Sequence, residues 1–110
     1  DQNLKKIRIL IIEFHGLRNL RSDSFLNFFE KIISRIDKHF YSCHLHANNT
    51  SKIKKVNYLK IPDMIEITFI RKDRITNFSN EFSELPHPLD QKTVLNKDEI
   101  FIDKNWYLDD

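Results

Sequence analysis

Two short stretches carry residues able to move protons or hold a cation. One apolar run ends in Glu13, Phe14 and His15, another in His44, Leu45 and His46. In an extended strand, residues two apart point to the same face, so Glu13 pairs with His15 and His44 with His46. If the two strands lie side by side and parallel, four polar groups converge at their carboxyl ends, where open α/β sheets place their chemistry. Imidazoles of this kind can orient a substrate or take a proton from an acceptor hydroxyl near neutral pH. With a carboxylate they can also share a divalent metal, or simply hydrogen-bond one another and cap the sheet. Asn48 and Asn49 follow directly and suit either a ligand contact or a turn.

The elements that must position these residues follow from periodicity. Ile7 to Phe14 is nearly continuous in apolar character, the pattern of a strand covered on both faces. Ser22, Asp23 and Ser24 offer N-cap oxygens. Phe25, Phe28, Phe29, Ile32, Ile33, Ile36 and Phe40 then recur at helical spacing, predicting a helix over 25–40. Phe40 to Ala47 is a second strand, with Tyr41, Cys43 and Leu45 on the helix side and Ser42, His44 and His46 on the other. Strand, helix, strand predicts a right-handed parallel crossover. A weaker extended piece at 56–59 is interrupted at Pro62. Met64 to Ile70 alternates as a further strand, antiparallel to its predecessor. The expected fold class is therefore α/β, a small mixed sheet in residues 1–75, with residues 76–110 an extended arm packed on the same domain. In that arm Ile100 to Ile102 reads as an edge strand, and Trp106 with Tyr107 as an anchor.

Composition excludes several functions. A net charge of +2 with interspersed acids gives no nucleic-acid footprint, and the basic groups at 52–55 and 71–74 read as solvated turns. No apolar run approaches the roughly 18 residues of a membrane span, and no signal peptide is visible. Cys43, the only cysteine, rules out an internal disulfide and a Cys-based zinc cluster, and points to a reducing cytoplasmic setting. A single glycine, Gly16, cannot build a phosphate- or dinucleotide-binding loop. Beginning at Asp1, the chain reads as processed, or as part of something longer.

The ordered set Glu13-Phe14-His15, His44-Leu45-His46-Ala47-Asn48-Asn49, Ile61-Pro62-Asp63 and Glu66 to Asp73, continued by Leu85-Pro86, Leu89-Asp90 and Asn96-Lys97, resembles the carboxyl-terminal half of FkbM-type methyltransferases. The resemblance covers most of residues 7–97. It implies the second half of a Rossmann-like sheet, ending in an antiparallel hairpin. It also implies an S-adenosylmethionine-dependent O-methyltransferase acting on a hydroxyl of a small molecule, sugar or glycan. His15 or His46 would be the general base, and Glu13, His44, Asn48 and Asn49 would contact substrate. The cofactor loop and first four strands of such an enzyme are not in this sequence, so the chain alone is expected to be inactive. Its expected partners are a missing amino-terminal half or further copies of itself. Two other readings stay open: a stand-alone divalent-metal module on Glu13, His15, His44 and His46, and an interaction domain that pairs through an open sheet edge.

Overall fold

A computed structural model of the chain describes residues 2–56, 58–77 and 85–106. Five strands and one α-helix appear among them, in the order β1 (Ile9–Phe14), α1 (Asp23–Asp37), β2 (Phe40–Ala47), β3 (Ile53–Val56), β4 (Leu59–Pro62) and β5 (Ile65–Arg71). The fold is mixed α/β with one helix and two antiparallel sheets: β1-β5-β2, and the hairpin β3-β4.

The expected side-by-side parallel pair is not formed, and with it go the parallel crossover, the mixed sheet and the Rossmann-like half-sheet, since every strand pairing among the described residues is antiparallel. β5 lies between β1 and β2 and is antiparallel to both, so the outer strands run in the same direction without touching along their edges. The reason lies in β5 itself. Its residues Ile65, Ile67 and Phe69 are buried and the alternating ones half-buried, so both its faces are covered and both its edges are paired. β1, whose composition suggests two covered faces, has Ile9 and Ile11 58% and 60% exposed and forms one edge of the sheet.

The register assigns the faces. Phe14–Ile65–Ala47 and Ile12–Ile67–Leu45 form rows across the three strands on one side. Against this side pack Phe25, Phe29, Ile32, Ile33 and Ile36 of α1, with the Phe14 and Phe29 rings edge-to-face at 5.4 Å. Of these Ile36 is fully covered and the rest partly, so full burial, about 2 kcal/mol per side chain, is an upper bound for each of the others. The helix begins at Asp23 and stops at Asp37, three residues short of the predicted end, because Phe40 is taken into β2 and fully buried there. Ser22 occupies the N-cap, but its hydroxyl meets Ser24 Oγ at 3.0 Å rather than a helix N–H.

Three further features depart from what the sequence suggests. Cys43 is exposed, not buried on the helix side. A β-bulge between Ser42 and His44 removes it from the alternation, and its thiol donates to the Thr68 carbonyl at 3.4 Å. Ile100 to Ile102 is not a strand, although Ile100 and Ile102 are buried in the core. Pro62 ends β4 rather than interrupting an extended piece, since the 53–62 stretch is a hairpin with Ile53 opposite Pro62. The arm is anchored as anticipated at Trp106, whose indole N–H donates to the Lys60 carbonyl at 3.3 Å. Tyr107 lies outside the described residues.

Candidate functional site

On the face away from α1, the register sets Glu13, Glu66 and His46 in one row across β1, β5 and β2, with Ile11, Thr68 and His44 in the next. The row lies at the carboxyl ends of β1 and β2. Glu13, His46, Asn48 and Glu66 line an open polar cleft of about 290 Å³ there, flanked by Leu89, Asp90, Gln91 and Thr93 of the arm.

The four residues expected to converge are divided. Glu13 Oε1 takes His15 Nε2–H at 2.7 Å, and His15 is 64% exposed and outside the cavity. His44 Nε2–H donates to Asp90 Oδ1 at 2.8 Å, and His46 Nε2–H donates to Glu99 Oε2 at 2.8 Å. Both histidines do share a face, as alternation requires. The arm, however, brings each its own carboxylate rather than leaving them to meet Glu13 and His15. Among the described residues no group of three or more His, Cys, Asp or Glu is placed to hold a metal ion.

Each carboxylate fixes the proton of its imidazole. An ionised carboxylate only accepts, so Nε2 of His46 carries the hydrogen and Nδ1 is the nitrogen that can take a proton. This is the arrangement by which an acid orients a histidine base. Both members of the His46–Glu99 pair are only 14% exposed. Glu99 Oε1 is buried without a hydrogen-bond partner among the described residues, so the carboxylate depends on His46 for its compensation. Asp90 is also held by the His87 backbone N–H at 2.8 Å, which keeps the arm's turn over the cavity.

The two asparagines differ in use. Asn48 donates from Nδ2 to Glu13 Oε2 at 3.4 Å and accepts the Thr50 N–H and hydroxyl on Oδ1, at 2.9 and 2.7 Å. It therefore turns the chain and still reaches the cavity. Asn49 is 4% exposed. Its amide donates to the Val94 carbonyl at 2.9 Å and accepts the Val94 N–H at 2.9 Å, so it clamps the arm rather than contacting a substrate.

Glu66, Asp90 and Glu99 complete the site. Asp90 and Glu99 lie 46 and 53 residues beyond their histidines, so no strand or helix spacing points to the pairing. Glu66 was legible as the polar position of an alternating strand, but its row partners depend on β5 being central. Glu13 and Glu66 are directly opposed carboxylates, a juxtaposition that costs stability.

The chain's one glycine is not placed to cradle a ligand such as the S-adenosylmethionine that the resemblance implies. Gly16, at φ 76°, turns the chain out of β1, and a Cβ there would meet Asn19 Nδ2 at 3.4 Å and the Phe25 ring at 3.9 Å. Its surroundings are packed side chains, not a cradle open to a ligand. No family model, curated protein or solved structure matches the chain.

Proposed function

We propose that this chain is the acceptor-binding part of an S-adenosylmethionine-dependent O-methyltransferase of FkbM type, with the donor held by residues outside these 110. The observation that carries the reading is the polar cavity at the carboxyl ends of β1 and β2. It offers acceptors from Glu13, Glu66 and Asp90, a donor in the Asn48 amide, and an imidazole oriented by Glu99. Such a lining matches the hydroxyls of a sugar or glycan, because every carboxylate oxygen can take an O–H and little apolar surface competes.

In this reading His46 is the general base. Its Nε2–H is held by Glu99, so Nδ1 removes the acceptor hydroxyl proton as that oxygen becomes nucleophilic. Glu13, Glu66 and Asn48 position the acceptor, and His44 with Asp90 fixes the arm that covers it. His15, exposed and outside the cavity, has no role as base.

Saturation-transfer NMR with methyl glycosides tests the reading. Binding that is lost in Glu66→Gln is expected, while calorimetry with S-adenosylmethionine alone gives no heat. Glycoside binding that survives Glu66→Gln, or micromolar binding of the donor, contradicts it.

A second reading rests on one observation. The outer edge of β1 pairs with no strand among the described residues, and it carries exposed Ile9 and Ile11. Strands of this kind recruit another chain, which fits a homo-oligomer or docking of a donor-binding half.

A further inference from the structure

At the opposite end of the sheet, the segment before β1, the link from α1 to β2 and the end of β5 with the turn after it line a second, open cleft. It has a volume of about 330 Å³ and is lined by Lys5, Lys38, His39, Arg71, Lys72 and Asp73. Three segments remote in sequence thus bring four permanent cations and one imidazole together, against a single acid.

That acid is already committed. Arg71 Nε donates to Asp73 Oδ1 at 2.6 Å and Arg74 Nε stands 3.9 Å from the same oxygen. The hydrogen bond from Arg71 holds the Asp73 carboxyl below the usual carboxylate range. A second limb of the Arg71 guanidinium donates to the Lys5 carbonyl, and the side chain is only 17% exposed, so Arg71 forms a fixed wall. Lys72 Nζ sits 4.9 Å over the Tyr41 ring, a cation–π contact that gives a flexible ammonium a preferred place. Lys5 and Lys38 have no ion-pair partner among the described residues. The carbonyl end of α1 lies nearby and opposes an anion, but two carbonyls of this corner are occupied. His39 N–H donates to Ile36 and Lys72 N–H donates to His39.

We propose that this cavity is a binding site for the phosphate group of a small phosphorylated molecule. With Asp73 paired to Arg71, the charges of Lys5, Lys38 and Lys72 remain for a ligand of two or more negative charges. Phosphate matches this arrangement because its oxygens accept from several donors at once. The inference is independent of the acceptor cavity, from which it is separated by the length of the strands.

The test is calorimetric titration of the full chain with sodium pyrophosphate at neutral pH and about 0.15 M salt, where diffuse attraction between exposed charges is largely screened. One saturable site is expected, with amide shifts at Lys5, Lys38, His39 and Lys72 in the NMR spectrum. Lys38→Glu and Lys72→Glu should each weaken binding about tenfold or more, equivalent to roughly 1.4 kcal/mol. Lys54→Glu, on the remote β3, should leave it within about twofold. Inorganic phosphate should shift the same amides at higher concentration. Circular dichroism of each variant establishes that it is folded. Absence of saturable binding, equal weakening by Lys54→Glu, or a preference for a single-stranded oligonucleotide with no response to pyrophosphate overturns the proposal.

Discussion

The His46–Glu99 pair is the residue-level feature on which the site depends. Removing the donor of a part-buried hydrogen bond leaves its carboxylate acceptor uncompensated, and Glu99 already has one oxygen without a hydrogen bond. His46→Ala should therefore lower unfolding stability by about 2 kcal/mol, whereas His15→Ala, at an exposed pair, should change it by less than about 0.5 kcal/mol. Urea denaturation measures both. Glu66 presents the converse case. Its carboxylate opposes that of Glu13 across the β1–β5 ladder, so Glu66→Gln should raise stability by about 0.5 kcal/mol while glycoside binding is lost. A gain of stability with loss of binding separates a functional carboxylate from a structural one. At Cys43, desolvation raises the thiol pKa, opposed in part by its backbone hydrogen bond. The thiol is thus protonated at neutral pH although exposed. Alkylation by iodoacetamide should be slow at pH 7 and still accelerating above about pH 8.5, the ordinary thiol value. A plateau below that pH contradicts the assignment.

At the scale of elements, what periodicity can reveal is separated from what it cannot. β2 spans Phe40–Ala47, the range that alternation predicts, and α1 overlaps its predicted helix because its apolar stripe is long and uninterrupted. Pairing was not legible. Strand alternation says which residues share a face but not which strand is the neighbour, so β5 entering between β1 and β2 could not be read from β1 or β2. The bulge at Ser42/His44 was hidden for a related reason: one inserted residue shifts the phase without leaving a mark in composition. The edges also differ in protection. β2 carries that bulge, which discourages strand addition, while β1 offers an apolar run with Arg8 and Glu13 only at its ends. Light scattering should show concentration-dependent association of the chain, suppressed by Ile11→Lys. A monomer at every concentration would exclude self-pairing through β1.

For the whole molecule, the arm decides whether the site exists. Residues 85–106 contribute Leu85, Ile100 and Ile102 to the core, Asp90 and Glu99 to the two histidines, and Trp106 to the β3-β4 hairpin. Asn49 is the clamp that holds this segment through Val94. Its loss should cost about 2 kcal/mol, since buried backbone groups of the arm lose their partners, and hydrogen exchange should rise across 93–99 before the sheet. Among the described residues no helix is long and apolar enough to cross a membrane. The candidate site was half visible in the chain: Glu13, His46 and Asn48 stand out as polar residues closing apolar runs, but Asp90 and Glu99 reach it only through tertiary packing. Whether the polar cleft holds a glycan acceptor is tested most directly by NMR mapping of the full chain during titration with methyl glycosides. Saturable shifts are predicted at Glu13, His46, Asn48 and Glu66, accompanied by a change in the His46 ring resonances and none in those of His15. Shifts confined to other surfaces, or a His15 ring that responds while His46 does not, would contradict the assignment of the acceptor site.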